Sequence, residues 1–401
     1  MATEIAQSFE ALEAQAQLLM SVFTKAGHEA VAPAIIQPAD VYLDVIGESL
    51  RARTYVFTDP DGAELCLRPD LTVPTCRLHL WRNGAAETPA RYCYNGPAFR
   101  FQAQGADAAH PREFRQAGIE RFGDVERERA EAETVGLTIK ALEKAGLKNW
   151  TLQTGDLGLF RAVLNAVRIP TRWQKRLEEA FLRPGTFRTE LKRLTEAPGS
   201  SDLGLRNRSL PADLVGSLDQ TDFAASEAAL VAYLDAQSIE LIGNRTIAEM
   251  TQHLLDVVAD QTASPLESAA ADLIEQYVSV TGPALFAGQR IAALLKGVKG
   301  GPGAALDAYD RRLALLANGG LDLSRVMFSA EFGRTLAYYT GFVFEISAPG
   351  LKADGAIAGG GRYDGVMRAA GAPCDVPAVG AAIHTQRLLA TVSGIAPKEG
   401  L

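Results

Sequence analysis

Four clusters of polar residues interrupt otherwise apolar stretches of this 401-residue chain. The first is Arg68-Pro69-Asp70-Leu71-Thr72, and the second sets Arg100 beside Gln116 and Glu120. The third joins Arg334 to Tyr338 and Tyr339, and the fourth is Gly359-Gly360-Gly361-Arg362-Tyr363-Asp364. In a strand, an i, i+4 spacing puts Gln116 and Glu120 on one face. These residue types offer ion pairs, hydrogen bonds and close backbone approach. They do not spell a covalent catalyst, since no Ser/His/Asp or Cys/His arrangement can be argued from spacing. The triple glycine is not followed by the Lys-Ser/Thr of a P-loop, and it lacks the GxGxxG spacing. Five histidines are scattered without HExxH, and Cys66, Cys76, Cys93 and Cys374 form no CxxC pair. No metal, no cofactor and no disulfide framework is therefore expected.

Each cluster alone has an ordinary structural reading. Arg68-Pro69-Asp70 reads as a Pro-led turn with an Asp cap, and Gln116 with Glu120 as the wet face of a half-exposed sheet. Adjacent tyrosines in a strand place one in the core and one at the surface. Three glycines mark a tight turn or a close approach.

The elements that must position these clusters follow from periodicity. Ile5, Phe9, Leu12, Ala16, Leu19 and Phe23 repeat at helical spacing, with Gly27 as the stop. Two strands flank the turn DPDG, and two more span 90–101 and 114–122 around a loop (103–112) too long for a tight hairpin. A charged helix, ERERAEAETVGLTIKALEKAG, follows. From about 170 to 316 the signals are helical, and Trp173 and Phe181 there are candidates for a partner surface or for ordinary core. Strands return as RVMFSAEF and TLAYYTGFVFEISA, before a last helix in IHTQRLLATVS. The pattern predicts an α+β domain built from 1–168 and 317–401, interrupted by a mostly helical insertion at 169–316.

Length and composition agree with two or three domains at about 150 residues each. Hydrophobic residues make up 47% and charged residues 22%, which excludes disorder. A net charge of −8 argues against life on nucleic acid. No apolar run approaches a membrane span, and the N-terminus carries acids where a secretory signal carries bases, so a cytoplasmic location is expected.

The combination and order of the clusters closely resemble the catalytic domain of histidyl-tRNA synthetases, a class II aminoacyl-tRNA synthetase family. LRPDLT is similar to that family's LRPEGT. RYCYNGPAFRFQ with REFRQAGIERFG is similar to its motif 2, a strand–loop–strand hairpin. GRTLAYYTGFVFE and IAGGGRYDGVM resemble its two histidine-specific motifs, and PAVGAAIHTQRLL resembles motif 3. The resemblance covers 1 to about 165 and 320 to 395, and it implies an antiparallel sheet flanked by helices. It further implies a site for free histidine. Asp70 and Glu120 would hold the α-ammonium, with Thr72 and Gln116 adding hydrogen bonds. Tyr338, Tyr339 and Tyr363 would line the imidazole, with Arg334 by the carboxylate and Arg100 nearby.

The departures from that pattern gather where the resemblance places ATP. Gln102 replaces the acid of motif 2, while His384 and Gln386 replace the glycine and acid of motif 3; Arg387 is retained. Ala337 stands where the family has Asp. The chain also stops shortly after Arg387, so no anticodon-binding domain and no tRNA partner are expected. A histidine-binding synthetase relative of this kind resembles the regulatory subunits of ATP phosphoribosyltransferase. That resemblance implies a non-catalytic protein that activates a short catalytic subunit and lets histidine inhibit it, as a homodimer within a hetero-octamer. The alternative is a stand-alone histidine-activating, adenylate-forming ligase.

Overall fold

The computed structural model describes residues 9–40, 42, 52–102, 105, 111–167, 169–181, 185–196, 211–239, 246–298, 303–333, 338–349 and 355–393. Two compact units divide the chain, one of Met1–Val167 with Gln276–Leu401 and one of Arg168–Glu275. Among the described residues no helix is long and apolar enough to cross a membrane.

The first unit runs α1 (Phe9–Lys25), β1 (Glu29–Ala30), β2 (Ile36–Pro38), β3 (Val56–Thr58), β4 (Glu64–Leu67), α2 (Thr72–Arg82), β5 (Ala90–Phe99), β6 (Glu113–Phe122), α3 (Arg127–Lys144), β7 (Thr151–Asp156) and α4 (Leu157–Ala166). The second unit holds α5 (Thr171–Phe181), α6 (Phe187–Thr195), α7 (Ala212–Ser217), α8 (Phe223–Ala236), α9 (Ile247–Thr262) and most of α10 (Ser268–Val278). The chain then returns to the first unit through β8 (Thr281–Pro283), α11 (Ala284–Leu294), α12 (Gly303–Asn318), β9 (Val326–Ser329), β10 (Phe342–Ser347), β11 (Ala358–Arg362), α13 (Val366–Ala369), β12 (Ala378–His384) and α14 (Thr385–Val392).

Nine strands form one sheet in the order β1-β5-β6-β12-β11-β10-β7-β9-β8, mostly antiparallel, and β2-β4-β3 form a small sheet of their own. The longest ladder is β5–β6, paired without a break from Ala90↔Phe122 to Phe99↔Glu113. Strands from the N-terminal part (β5, β6) and the C-terminal part (β12, β11, β10) are thus neighbours, as an interrupted domain requires. Glycine permits the tightest approach. A Cβ on Gly360 would meet the Gly380 carbonyl oxygen at 2.1 Å.

The boundary expected at 316 differs from the division of the structure. Segment 276–316 belongs to the sheet unit because α12 packs on α3 there, burying Tyr309, Arg312, Leu313 and Leu316. Trp173 and Phe181 are buried at 5% and 9% exposure, so both are core of the helical unit. Asp260 fixes that core by accepting from Arg172 Nε and Trp173 Nε1, each at 2.7 Å. The strand expected to include Tyr338 and Tyr339 begins only at Phe342.

An ion cluster ties the helices to the sheet. Glu131 on α3 accepts from Arg312 Nε at 2.6 Å and from Arg362 Nε. Arg312 also donates to Asp156 at 2.9 Å, and Asp156 caps α4 through the Gly158 and Leu159 N–H groups. Burial pushes the Glu131 carboxyl up, but Arg312 and Arg362 outweigh it and hold it below the usual range. Because Arg362 turns toward this cluster, its neighbour Tyr363 turns the other way.

Removing one member leaves a buried charge uncompensated, which costs about 3–5 kcal/mol. Arg312→Met should therefore lower the unfolding free energy read from a denaturant titration by that amount. Arg193→Met, which breaks a half-exposed pair with Glu190, should shift it by less than about 1 kcal/mol.

Candidate functional site

The β5–β6 hairpin presents Gln116 and Glu120 on one face, both buried. Tyr94 lies across this face from β5, opposite Gly118, where a Cβ would sit 2.6 Å from the Tyr94 hydroxyl. That gap lets Tyr94 donate to Glu120 Oε1 at 2.9 Å. Thr72, at the start of α2, donates to the same oxygen at 2.7 Å, and Tyr363, just after β11, donates to Oε2. Gly380 on β12 completes the enclosure, since any Cβ there would overlap Glu120 Oε2. Burial pushes the Glu120 carboxyl up to about 7, against the pull of its three hydroxyl donors, and the nearby Asp70 charge adds to the rise.

In front of this carboxyl lies a small, partly open pocket. Asp70, Thr72, Arg100, Gln116, Tyr338, Tyr339, Tyr363 and His384 line it, together with Gly359, Gly380, Ala381 and Ala382. Asp70 Oδ1 accepts from the Val73 N–H at 3.3 Å, although the N-cap position of α2 is Leu71, and among the described residues Oδ2 has no partner. Burial raises the Asp70 carboxyl above its usual value, opposed first by Arg100 and then by the Val73 and Thr72 N–H groups. Gln116 Oε1 is a second buried acceptor without a partner among the described residues. Two orphaned acceptors in one pocket call for a ligand rich in donors.

The tyrosines form the aromatic wall. Tyr338 and Tyr339 rings lie 4.8 Å apart and Tyr338 meets Tyr363 edge-on at 5.8 Å. Both adjacent tyrosines are buried, contrary to the one-in, one-out pattern, because they sit in the turn before β10 and not in a strand. At the other end Phe114 carries two groups, the Arg100 guanidinium 5.0 Å from its ring centroid and the His384 ring at 5.1 Å.

The pocket thus gathers nine of the residues singled out in the sequence, Gly359 among them. Glu120 is close but does not line it; it stands behind the Thr72 and Tyr363 hydroxyls. Three of the positions placed by resemblance near ATP lie elsewhere: Gln102 accepts from Arg53 at 2.7 Å, Gln386 accepts from the Arg115 N–H at 3.0 Å, and Arg387 donates to the Ala356 carbonyl at 2.9 Å. Arg334 and Ala337, with most of loop 103–112, lie outside the described residues. Tyr94, Phe114 and Gly380 were missed, although the glycine facing Tyr94 across the hairpin is a signal a paired-strand reading could have used. Among the described residues no group of three His, Cys, Asp or Glu side chains could hold a metal ion.

The Glu120 carboxyl binds its proton more tightly in the folded protein than in the unfolded chain. Its contribution to stability is full below about 4.5 and lost as pH rises through about 7. Glu120→Gln should flatten this part of the stability–pH curve, removing a slope of up to about 1.4 kcal/mol per pH unit. Thermal or denaturant unfolding from pH 4.5 to 8 measures the difference.

Comparison with known proteins agrees with this geometry. The family model described as histidyl-tRNA synthetase matches residues 5–202 and 215–388. The ATP phosphoribosyltransferase regulatory subunit of Allorhizobium ampelinum is 35% identical over 376 residues, covering 92% of this chain and 95% of that protein. That of Agrobacterium fabrum is 36% identical over 361 residues, covering 89% and 91%. Among solved structures, an ATP phosphoribosyltransferase regulatory subunit/histidyl-tRNA synthetase from Bacillus halodurans superposes with a TM-score of 0.66 at 20% identity, covering 98% of this chain and 82% of that one. A histidine–tRNA ligase subunit from Alicyclobacillus acidocaldarius gives 0.57 at 23% identity, covering 98% and 97%. The fold is that of the class II histidyl-tRNA synthetases, and the chain belongs to the ATP phosphoribosyltransferase regulatory-subunit family.

Proposed function

We propose that the pocket binds free histidine and that the chain reports its occupancy to a short-form ATP phosphoribosyltransferase catalytic subunit in the cytoplasm. Empty, the chain activates that subunit; filled, it restrains it. The observation that carries this reading is the pair of buried acceptors without a partner among the described residues, Asp70 Oδ2 and Gln116 Oε1, in a pocket lined by phenols. A zwitterion with a polar ring suits such a site. Asp70 takes the α-ammonium, with Thr72 and Gln116 adding hydrogen bonds, and Tyr338, Tyr339 and Tyr363 surround the imidazole. Arg100 takes the carboxylate end, where the resemblance also assigns Arg334.

Loss of catalysis is supported by the far end of the pocket. The His384 ring occupies the face of Phe114, and amides stand at 102 and 386 where acids would help hold a metal-bound nucleotide. Arg100 and Arg387, the two arginines that keep an adenylate-forming ligase conceivable, donate to the Pro69 and Ala356 carbonyls. The regulatory reading is therefore the stronger. We assign histidine binding to the sheet domain (1–168 and 317–401 in the sequence division) and pairing of two copies within a hetero-octamer to its surface. One face of the small sheet, with exposed Ile36 and Phe57, supports such pairing.

Control follows from a population shift: a coupling of about 1–3 kcal/mol between histidine and the catalytic subunit's active state gives 5- to 150-fold regulation. Mixed with a short ATP phosphoribosyltransferase from the same source, the chain should raise phosphoribosyl-ATP formation, and added histidine should reverse the effect. Asp70→Asn should shift the histidine inhibition curve to at least about tenfold higher concentration, since a hydrogen bond to a charged group is worth about 1.5–3 kcal/mol. Unchanged rates at saturating histidine would refute the regulatory reading.

A further inference from the structure

The pocket is laid out along β12, from which Gly380, Ala381, Ala382 and His384 all line it. Gly380 pairs with Glu120 on one side and with Gly361 on the other, and a Cβ on Gly361 would meet the Tyr339 ring at 3.0 Å. The tyrosine wall therefore stands at the Gly380 end. His384 pairs with Gln116, and at the rise of an extended strand it lies about 13 Å from Gly380. Paired residues point to one face with their Cβ atoms about 5 Å apart. His384 thus stands beside the buried Gln116 acceptor, at the end opposite the phenols.

Its neighbours there are flat and cationic. The His384 ring lies 5.1 Å from that of Phe114 at an interplanar angle of 31°, and the Arg100 guanidinium lies 5.0 Å from the same Phe114 ring. In the proposed complex the ammonium is at Asp70, the carboxylate is toward Arg100 and the imidazole is among the tyrosines. A group attached to that carboxyl would continue away from the phenols and reach Phe114. An aromatic face is a ready platform for a planar substituent, and here the protein's own imidazole is packed against it. That ring is not needed to start the following helix: His384 ends β12 and precedes α14, yet its side chain makes no cap hydrogen bond.

We propose that His384 makes the site selective for amino acids whose carboxyl group is free. Its ring fills the space a carboxyl substituent would take, so derivatives that carry a large planar group there are shut out. The inference rests on the proposed histidine site and narrows its ligand class to the free amino acid, to the exclusion of conjugated forms. A protein that reports on free histidine then ignores histidine already joined to another group. His384 is a specificity-determining residue that acts by excluded volume and needs no contact with the bound amino acid.

Titration calorimetry of the full chain compares three probes: free L-histidine, L-histidinamide and L-histidine 2-naphthylamide. The two amides share the ammonium, the imidazole and the lost carboxylate charge, and they differ in bulk. The wild type should bind the naphthylamide at least about tenfold more weakly than the amide, the cost of forcing a group into filled space. In His384→Gly the ratio should fall to within about threefold or reverse, as the naphthyl ring gains the Phe114 face. Glycine is tolerated at a helix start; should the variant not fold, His384→Ala carries the same expectation. Naphthylamide binding as tight as the amide in the wild type, or an equally large ratio in both proteins, overturns the inference alone. So does free histidine that binds while both amides fail in every variant, for then the carboxylate charge makes the selection. No binding of free histidine to the wild type removes the histidine site itself and the inference with it.

Discussion

Burying a carboxyl group without a cation imposes a demand that the surrounding chain must meet. Glu120 meets it with three hydroxyls from three places far apart in sequence: Thr72 before the motif 2 hairpin, Tyr94 within it and Tyr363 near the C-terminus. The two ends of the chain must therefore close on each other. The sheet order does this by seating β12 and β11 beside β6, and glycines at 118, 360 and 380 give the strands and the carboxyl room. The ion cluster of Glu131, Arg312, Asp156 and Arg362 holds the last piece, since Arg362 anchors the residue next to Tyr363.

The pocket that results is lopsided. One end has acceptors awaiting donors, and the other has Arg100 and His384 packed on Phe114. Amides at 102 and 386 bond within the protein, which fits a scaffold that keeps an amino-acid site and has given up nucleotide chemistry. Under the proposed function, coupling between occupancy and a partner takes the place of bond making.

Much of this was legible in the sequence. Period-two alternation and the DPDG turn located β3 to β6, and the order of motifs brought Asp70, Gln116, Tyr339 and Tyr363 to one place before any contact was known. Other features depend on packing, which a linear pattern does not carry. Glu131 reads as one more acid on a charged helix, and only the approach of α12 makes it the hub of an ion cluster. Trp173 and Phe181 have the spacing of either surface or core, and burial against neighbouring helices decides for core. Glu120 reads as one more acid on a strand, and only the packing of α2, β5 and β11 shows that three hydroxyls surround it.

The most direct test is a crystal structure of the chain grown with free histidine. The account predicts one histidine in this pocket, its ammonium within hydrogen-bond distance of Asp70 Oδ2 and its imidazole among Tyr338, Tyr339 and Tyr363. Histidine bound elsewhere, or an empty pocket at saturating concentration, would contradict it.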